Sequence, residues 1–377
     1  MRQLFTLSCF WLLALVCQPV QAYDREDVVH LYHVVKHYID SADFKGVEPG
    51  YIDLPDAGFV GSLTGSLAGT HVTLDYSSPK EELNGVDLLG RLNSLVSNKL
   101  AVGVSYRGWG LSYSTSLSGA KDTEWTFNSY GQARGLELSI HNSTTLSGDF
   151  ERNPRIFGLN GRPLNQDNSP MLSVHEGDIH QRTFLMNFYW VLNHSRFSLP
   201  AAMSHTVIQR RSAGSFLVIM NLYHVSSKIT EPALALSVGP AFEPEGEVVR
   251  SQFGKLSQSQ LSLGGGYAYN YVFPNRNLLL HGSFMPMLGI WHRNRTYWDV
   301  LVHNSDGNIA SVFSHDAAFS QKPIALNALA HLNLVYNQGR SLYGLLATAN
   351  AESLPGRGRL SIYSVEWSVR CIFGVRF

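Results

Sequence analysis

Three histidines near the N-terminus have the spacing of a ligand set. His30, His33 and His37 stand at positions i, i+3 and i+7, so on a helix they share one face, with Glu26 one turn before them. Imidazole and carboxylate groups bind zinc or copper, and a histidine cluster can also titrate as a pH sensor. A solvated polar face has the same pattern, and no cysteine or second ligand cluster lies nearby. We therefore predict no cofactor and keep a metal site as the alternative.

His303 and Ser305 form a second pair that could do chemistry. The run His-Asn-Ser-Asp-Gly-Asn partly resembles the His-x-Ser-Asn-Gly run of outer-membrane phospholipases and lipid deacylases, where the imidazole activates the hydroxyl for nucleophilic attack. This chain departs from that run at Asp306, and its density of Asn, Asp and Gly is typical of a loop tip. The pattern favours a turn, and a lipid-acting enzyme is the alternative function.

A third candidate is a polar cluster rather than a catalytic one. Gln209, Arg210 and Arg211 precede a small-residue turn and an apolar strand. Inside a barrel they could form a lumen cluster with Glu137 or Glu366. A basic patch beside a membrane is the alternative interpretation.

The element that fixes the architecture is the end of the chain. Its odd positions are apolar, and the positions between them are mostly polar, which describes a strand with one apolar side. The apolar positions are Tyr363, Val365, Trp367, Val369, Cys371, Phe373, Val375 and Phe377. A terminal strand of this kind, ending in Phe, resembles the assembly signal of bacterial outer-membrane β-barrels.

The other end of the chain indicates export. Arg2 precedes an apolar stretch over residues 4–16, and small residues end it at position 22, so we predict a signal peptide over residues 1–22. Lipid attachment at Cys17 is disfavoured, because Val16 stands where a small residue is expected. Cleavage would leave Cys371 without an intramolecular disulfide partner.

Alternation of apolar and polar residues recurs along the chain and predicts hairpins. The hairpins pair residues 102–106 with 109–117, 261–273 with 278–290, and 326–336 with 343–349. Long polar connections follow near 119–132, 240–259, 292–325 and 350–359. Short and long connections therefore alternate as in outer-membrane barrels, except that residues 143–182 would form a long loop at the short-turn end.

These patterns predict an all-β fold, a transmembrane antiparallel β-barrel of about 12 strands over residues 46–377, with 14 strands as the alternative. A water-soluble sandwich is the alternative class, but several segments exceed ordinary strand length. Residues 24–40 have helical period, so we predict a short N-terminal amphipathic helix over residues 23–45 that plugs the lumen or lies beneath it.

Four further segments resemble one family. They read Phe-Ser-Leu-Pro-Ala-Ala-Met at 197–203, Gln-Arg-Arg-Ser-Ala-Gly-Ser-Phe at 209–216, Tyr-Arg-Gly-Trp-Gly-Leu at 106–111 and Asn-Phe-Tyr-Trp-Val-Leu-Asn at 187–193. Together they resemble the DUF4421 family of predicted Gram-negative outer-membrane barrels, over about residue 50 to the C-terminus. The resemblance brings no catalytic residues.

The composition excludes an obvious nucleic-acid binder. The chain has 29 basic and 29 acidic residues, so removal of Arg2 with the signal leaves a net charge of −1. We predict an outer-membrane protein that acts as a passive channel, a transport component or a structural surface protein. Its expected partners are outer-membrane lipid, lipopolysaccharide and the barrel-assembly machinery, with no nucleic acid and no stable protein partner.

Overall fold

The structure, a computed structural model, describes residues 46–53, 59–77, 87–118, 122–152, 172–229, 236–237, 248–275, 277–303, 309–320, 325–354 and 360–377. The predicted signal peptide, the predicted N-terminal helix and its three histidines lie outside these residues. Those expectations stay predictions.

The described part of the chain is almost entirely β-structure, as predicted. Its strands are β1 (Ile52–Asp53), β2 (Phe59–Ser77), β3 (Asp87–Ser94), β4 (Ser97–Tyr106), β5 (Trp109–Ser116), β6 (Thr123–Tyr130), β7 (Arg134–Arg152), β8 (Leu172–Val191), β9 (Ile208–Gln209), β10 (Ala213–Ile229), β11 (Leu236–Ser237), β12 (Val248–Val272), β13 (Leu278–His303), β14 (Ile309–Ser320), β15 (Ala325–Gln338), β16 (Ser341–Leu354) and β17 (Leu360–Arg376). A short helix, α1 (Leu199–Met203), lies between β8 and β9. None of the described helical residues form a segment long and apolar enough to cross a bilayer.

Twelve of the strands form a closed antiparallel barrel. The wall runs in the order β2, β4, β5, β6, β7, β8, β10, β12, β13, β15, β16 and β17. β17 then pairs with β2, from Leu360 opposite Tyr76 to Arg376 opposite Val60, and this pairing closes the wall. The strand number confirms the prediction of 12 rather than 14.

Side chains alternate between the two faces of the wall, as the period-2 pattern predicts. On β15 the odd-numbered residues from Ala325 to Asn337 are buried, and Leu326 and Leu332 are exposed. On β17 the apolar odd positions face outward, and the side chains of Trp367 and Phe377 are 38% and 76% exposed. The outside is therefore apolar and the inside largely polar, as a barrel in lipid requires. The role of the last strand in assembly stays a prediction.

The connections at one end of the barrel are short, apart from the one between β8 and β10. We call the end with the short connections the turn end, and the opposite end the loop end. Arg107 and Gly108 join β4 to β5 at the turn end, where Gly108 has a φ of 89° and a Cβ would lie 2.1 Å from the carbonyl oxygen of Tyr130. Only glycine fits this turn. The barrel's first and last strands also begin and end there, since Phe377 N donates to Phe59 O.

β6 corrects the sequence prediction, which had a long connection over residues 119–132. Because β6 occupies 123–130 and residues 131–133 turn directly into β7, the connection from β7 to β8 falls at the loop end. The apparent exception at residues 143–182 is therefore removed. The predicted loops at 240–259 and 292–325 were also wrong in part, since β12, β13 and β14 extend into them. These extensions mix polar runs, such as residues 254–260 and 292–296, with apolar ones, so they lack the long regular alternation of the other strands.

Two strands outside the 12-strand ring continue wall strands toward the loop end. β3 runs in the same direction as β4 and pairs with β2 and β7. β14 pairs with the half of β13 near the loop end, whereas β15 pairs with the half near the turn end. The hairpin of β5 and β6 therefore lies between β4 and β7 only in the part of the wall near the turn end. Its tip meets the wall where β3 and β7 begin to pair directly.

Candidate functional site

The connection between β8 and β10 folds into the turn end of the lumen. We call residues 197–209 the plug. Phe197, Leu199 and Ala202 in this segment are each no more than 1% exposed. Ser198 caps α1 by accepting a hydrogen bond from Ala201 N (3.3 Å), and Pro200 suits the first turn because it needs no donor there. The segment carries the Phe-Ser-Leu-Pro-Ala-Ala-Met run singled out in the sequence.

Wall side chains hold the plug through its backbone carbonyl groups. Asn270 of β12 donates to Ser198 O (2.8 Å), and Asn333 of β15 donates to Ala202 O (3.1 Å). Arg376 of β17 donates to the carbonyl oxygen of His205 (3.0 Å). Three separated wall strands therefore hold the plug through hydrogen bonds to its backbone carbonyl oxygens.

Apolar packing adds to these hydrogen bonds. Phe197 and Leu199 belong to one buried cluster with Leu217 and Ile219 of β10 and Met285 of β13. Burial of each large plug side chain is worth about 1.5–3 kcal/mol. The turn end of the lumen is thus filled by a packed core.

Gln209 joins the two ends of the plug. Its Oε1 accepts from Ser198 N (2.9 Å), and its Nε2 donates to the carbonyl oxygens of Arg196 (2.6 Å) and Arg211 (2.9 Å). Arg210 instead pairs with Asp53 outside the lumen. The guanidinium of Arg211 lies over the Tyr51 ring, 5.7 Å from its centroid.

The predicted cluster of Gln209, Arg210, Arg211, Glu137 and Glu366 is therefore not one site in the structure. The two arginines lie at the turn end, where β1 and β9 pair, and the two carboxylates lie in the lumen. The pairing of these arginines with Glu137 or Glu366 was wrong. The sequence alone does not fix the strand register, and the register decides which inward side chains are neighbours.

Glu137 lies at the centre of a hydrogen-bonded lumen cluster. Tyr130 donates to its Oε1, and its Oε2 accepts from Tyr189 (2.5 Å) and Asn187 (3.3 Å). Asn221 in turn donates to Asn187 Oδ1 (2.8 Å). The chain thus supplies neutral donors to this carboxylate.

Glu366 and Arg370 are inward-facing residues of β17. Tyr223 donates to Glu366 Oε1 (3.2 Å), and Arg370 donates to Thr348 Oγ1 (3.2 Å). The partner of Glu366 is thus also a neutral hydroxyl.

A buried ionic cluster fastens the tip of the β5–β6 hairpin. Lys99 Nζ lies 2.8 Å from Asp122 Oδ2 and 3.5 Å from Glu124 Oε2, and the side chains of Lys99 and Asp122 are only 2% and 6% exposed. His141 of β7 contacts the other oxygen of Asp122. The cluster joins β4, β6 and β7 at the point where the hairpin ends.

Substitution of Lys99 by Met should destabilise the barrel, because it removes the buried ammonium group that pairs with the buried Asp122 and the partly exposed Glu124. The expected loss is about 3–5 kcal/mol in the free energy of unfolding. The urea midpoint of the purified protein in detergent measures it, with the exposed Lys255→Met as the control. An unchanged midpoint for Lys99→Met would show that the cluster does not hold the hairpin.

The remaining predicted site residues lie elsewhere. His303 is the last residue of β13, and Ser305 lies outside the described residues, so their pairing stays a prediction. Within the described ranges, no group of three or more His, Cys, Asp or Glu side chains is arranged to hold a metal ion. The three N-terminal histidines lie outside those ranges.

A cavity of about 550 Å³ lies inside the barrel above the plug. One end reaches Leu95 and Ser118 near the loop end of β4 and β5, and the other reaches Met203 and His205 of the plug. Its lining combines hydroxyl groups of β2, β4, β5 and β6 with the carboxylates described above. The plug is therefore the floor of a chamber whose lining combines these polar groups with apolar side chains such as Leu329 and Leu346.

Comparison with known sequences identifies one family. The family DUF4421, described as a domain of unknown function, matches residues 82–377. No protein of curated function shows significant sequence similarity to the chain.

The chain is also similar to several solved structures. The outer-membrane protease OmpT from Escherichia coli is 8% identical, with 86% of this chain and 97% of that chain covered and a TM-score of 0.37. The β domain of the Bordetella autotransporter BrkA is 9% identical, with 85% and 100% covered and a TM-score of 0.31. The outer-membrane protein OprG from Pseudomonas aeruginosa is 10% identical, with 86% and 98% covered and a TM-score of 0.26. Similarity at this level carries over neither an activity nor a ligand.

Proposed function

The chain belongs to the DUF4421 family, and we propose that it is a gated channel of the Gram-negative outer membrane whose periplasmic end is closed by the plug. The turn end is then periplasmic and the loop end faces outward, as in single-chain outer-membrane barrels. The contacts of the plug with the wall carry this proposal. In it the lipid-facing partners are outer-membrane lipid and lipopolysaccharide, and export proceeds through the cleaved signal peptide.

The contacts between plug and wall favour a gate over a permanent seal. His205 has a φ of 60°, a conformation that is costly for a residue with a Cβ. Buried polar atoms of His205, Asn333 and Arg376 also have no hydrogen-bond partner within the described residues. Each such atom costs about 1–3 kcal/mol, and water would satisfy it once the plug leaves the mouth. The favourable packing is thus offset, and the closed state is only moderately favoured.

The same features separate this proposal from the other two functions. A purely structural barrel needs no cavity above its plug and no poorly satisfied contacts around it. A lipid-acting enzyme needs a histidine beside a nucleophile. In this chain the candidates for that pair are His303 and Ser305. The contacts between the plug and the wall favour the channel.

The test is the single-channel conductance of Arg376→Met, reconstituted as the full-length protein in a planar bilayer. Arg376 donates to His205 O in the plug and also to Asn337 Oδ1 (2.6 Å) and Gly339 O (3.0 Å) in the wall. Loss of the plug contact should raise the open fraction about tenfold or more, since a hydrogen bond from a charged group contributes about 1.5–3 kcal/mol.

Arg340→Met is the matched control, because Arg340 is an exposed arginine of the adjacent β15–β16 turn. It should keep the low open fraction of the unmodified protein. If Arg376→Met folds and inserts but opens no more often than Arg340→Met, Arg376 does not hold a gate.

A further inference from the structure

The cavity above the plug has the hydrogen-bonding character of a binding site for a polyhydroxylated molecule. Its volume of about 550 Å³ lies within the range of small-molecule sites, about 300–1,000 Å³. Hydroxyl groups line it from several strands, among them Ser62, Thr64, Ser66, Ser112 and Thr126. A wall of hydroxyl groups suits a ligand that both donates and accepts hydrogen bonds at many positions.

Some buried polar groups of this lining have unused hydrogen-bonding capacity. Ser114 and Asn350 are 8% and 4% exposed, and within the described residues neither Ser114 Oγ nor the amide of Asn350 has a partner. The same holds for Arg370 Nε and Asn128 Oδ1, which line the same cavity. The set contains donors and acceptors together. A sugar-like ligand could satisfy both, since each of its hydroxyl groups can do either.

The formal charge of the lining favours a cation. Four carboxylates line the cavity, Asp122, Glu124, Glu137 and Glu366, against two fixed cations, Lys99 and Arg370. Lys99 is already paired with Asp122, and the partners of Glu137 and Glu366 are neutral tyrosine and asparagine groups. An ammonium group in the chamber would give these two carboxylates a hydrogen-bonded cation, whereas the groups that hydrogen-bond to them from the wall are neutral.

We propose that this chamber binds a small polyhydroxylated cation of the amino-sugar class, with the ammonium group near Glu137 and Glu366 and the hydroxyl groups on Ser114, Asn350 and their neighbours. The inference names the solute of the gated channel and in that sense rests on the proposed function. Binding itself requires no movement of the plug, because the chamber lies above it.

Isothermal titration calorimetry of the full-length protein in detergent tests the inference with four matched probes. Glucosamine, glucose and glucuronate share a ring and differ in charge, and ethanolamine carries the charge without the ring. Glucosamine should bind about tenfold more tightly than glucose, and glucuronate and ethanolamine should bind more weakly still. Glucuronate binding as tightly as glucosamine, ethanolamine matching it, or no heat with any probe would overturn the proposal.

Glu137→Gln locates the site, because glutamine keeps the acceptor oxygen and removes the charge. It should weaken glucosamine binding about tenfold and leave glucose binding unchanged. Glu366→Gln should act in the same direction and serves if Glu137→Gln does not fold. Glu48→Gln is the control, since Glu48 pairs with Arg196 at the turn end and does not line the chamber.

An equal loss of glucosamine binding in Glu48→Gln would show that the binding site does not lie in the chamber. The outcomes also separate the two proposals. If glucosamine binds selectively but Arg376→Met does not open the channel, the binding site is supported and the gate is refuted. If Arg376→Met opens the channel but glucosamine does not bind, the gate is supported and the binding site is refuted.

Discussion

Replacement of residues 199–206 by a glycine–serine linker of equal length is expected to convert a mostly closed barrel into an open one. The linker removes the side chain of Leu199 and both packed alanines from the mouth of the lumen. It also removes the α1 geometry that presents the Ala202 carbonyl to Asn333. The chamber above the plug would then continue to the periplasmic end.

The measurement is single-channel conductance in planar bilayers at neutral pH. We expect the time-averaged conductance to rise by at least about tenfold, because loss of the packed side chains alone exceeds the 1.4 kcal/mol that corresponds to this factor. The control is Arg196→Ala, which changes an exposed residue on the same connection. A folded, inserted linker variant with unchanged conductance would mean that side chains higher in the lumen close the barrel.

The sequence predicted the barrel well because its signal is local. Alternation of apolar and polar residues depends only on neighbouring positions, and the hairpin of β12 and β13 was predicted with its turn. The same reasoning failed at β6, where Trp125 and Phe127 alternate with Glu124 and Thr126 over only eight residues. A strand of that length beside a polar loop is easily assigned to the loop.

The candidate site could not be predicted in the same way. Glu137 is brought to Tyr189 by one strand pair and to Tyr130 by another, so a shift of one residue in either pair would break the cluster. The plug has no periodic pattern, since α1 has only five residues and is buried on several sides by different strands. Its unusual sequence was visible, but its position inside the lumen depends on closure of the barrel.

Acidification should open the channel, and His205 is the residue expected to cause it. His205 lies on the plug, outside the spanning strands, and its imidazole is buried beside Arg376, with Arg370 of the same strand further away. Burial first, and then these two arginines, lower the pKa of His205 from 6.5 to about 4. The docked plug therefore holds the neutral imidazole at neutral pH.

The direction of the pH effect depends on which state of the plug binds the proton. Between pH 6.5 and 4 a released plug takes up a proton on His205 and the docked plug does not, so docking weakens as the pH falls through this window. The loss is about 1.4 kcal/mol per pH unit and about 3–4 kcal/mol in all, which corresponds to a change of about 300-fold in the ratio of open to closed states. Above pH 6.5 the open fraction should be constant, and below pH 4 it should level off.

Conductance recorded while the periplasmic side is titrated from neutral to acid pH tests this expectation, with His205→Asn as the informative variant. Asparagine tolerates the positive φ at this position and carries no titrating ring, so its open fraction should be nearly independent of pH across the window. His194→Asn, a change on the same connection outside the plug, should keep the response of the unmodified protein. A pH response that survives in His205→Asn would assign the sensitivity to the carboxylates of the chamber and not to the plug.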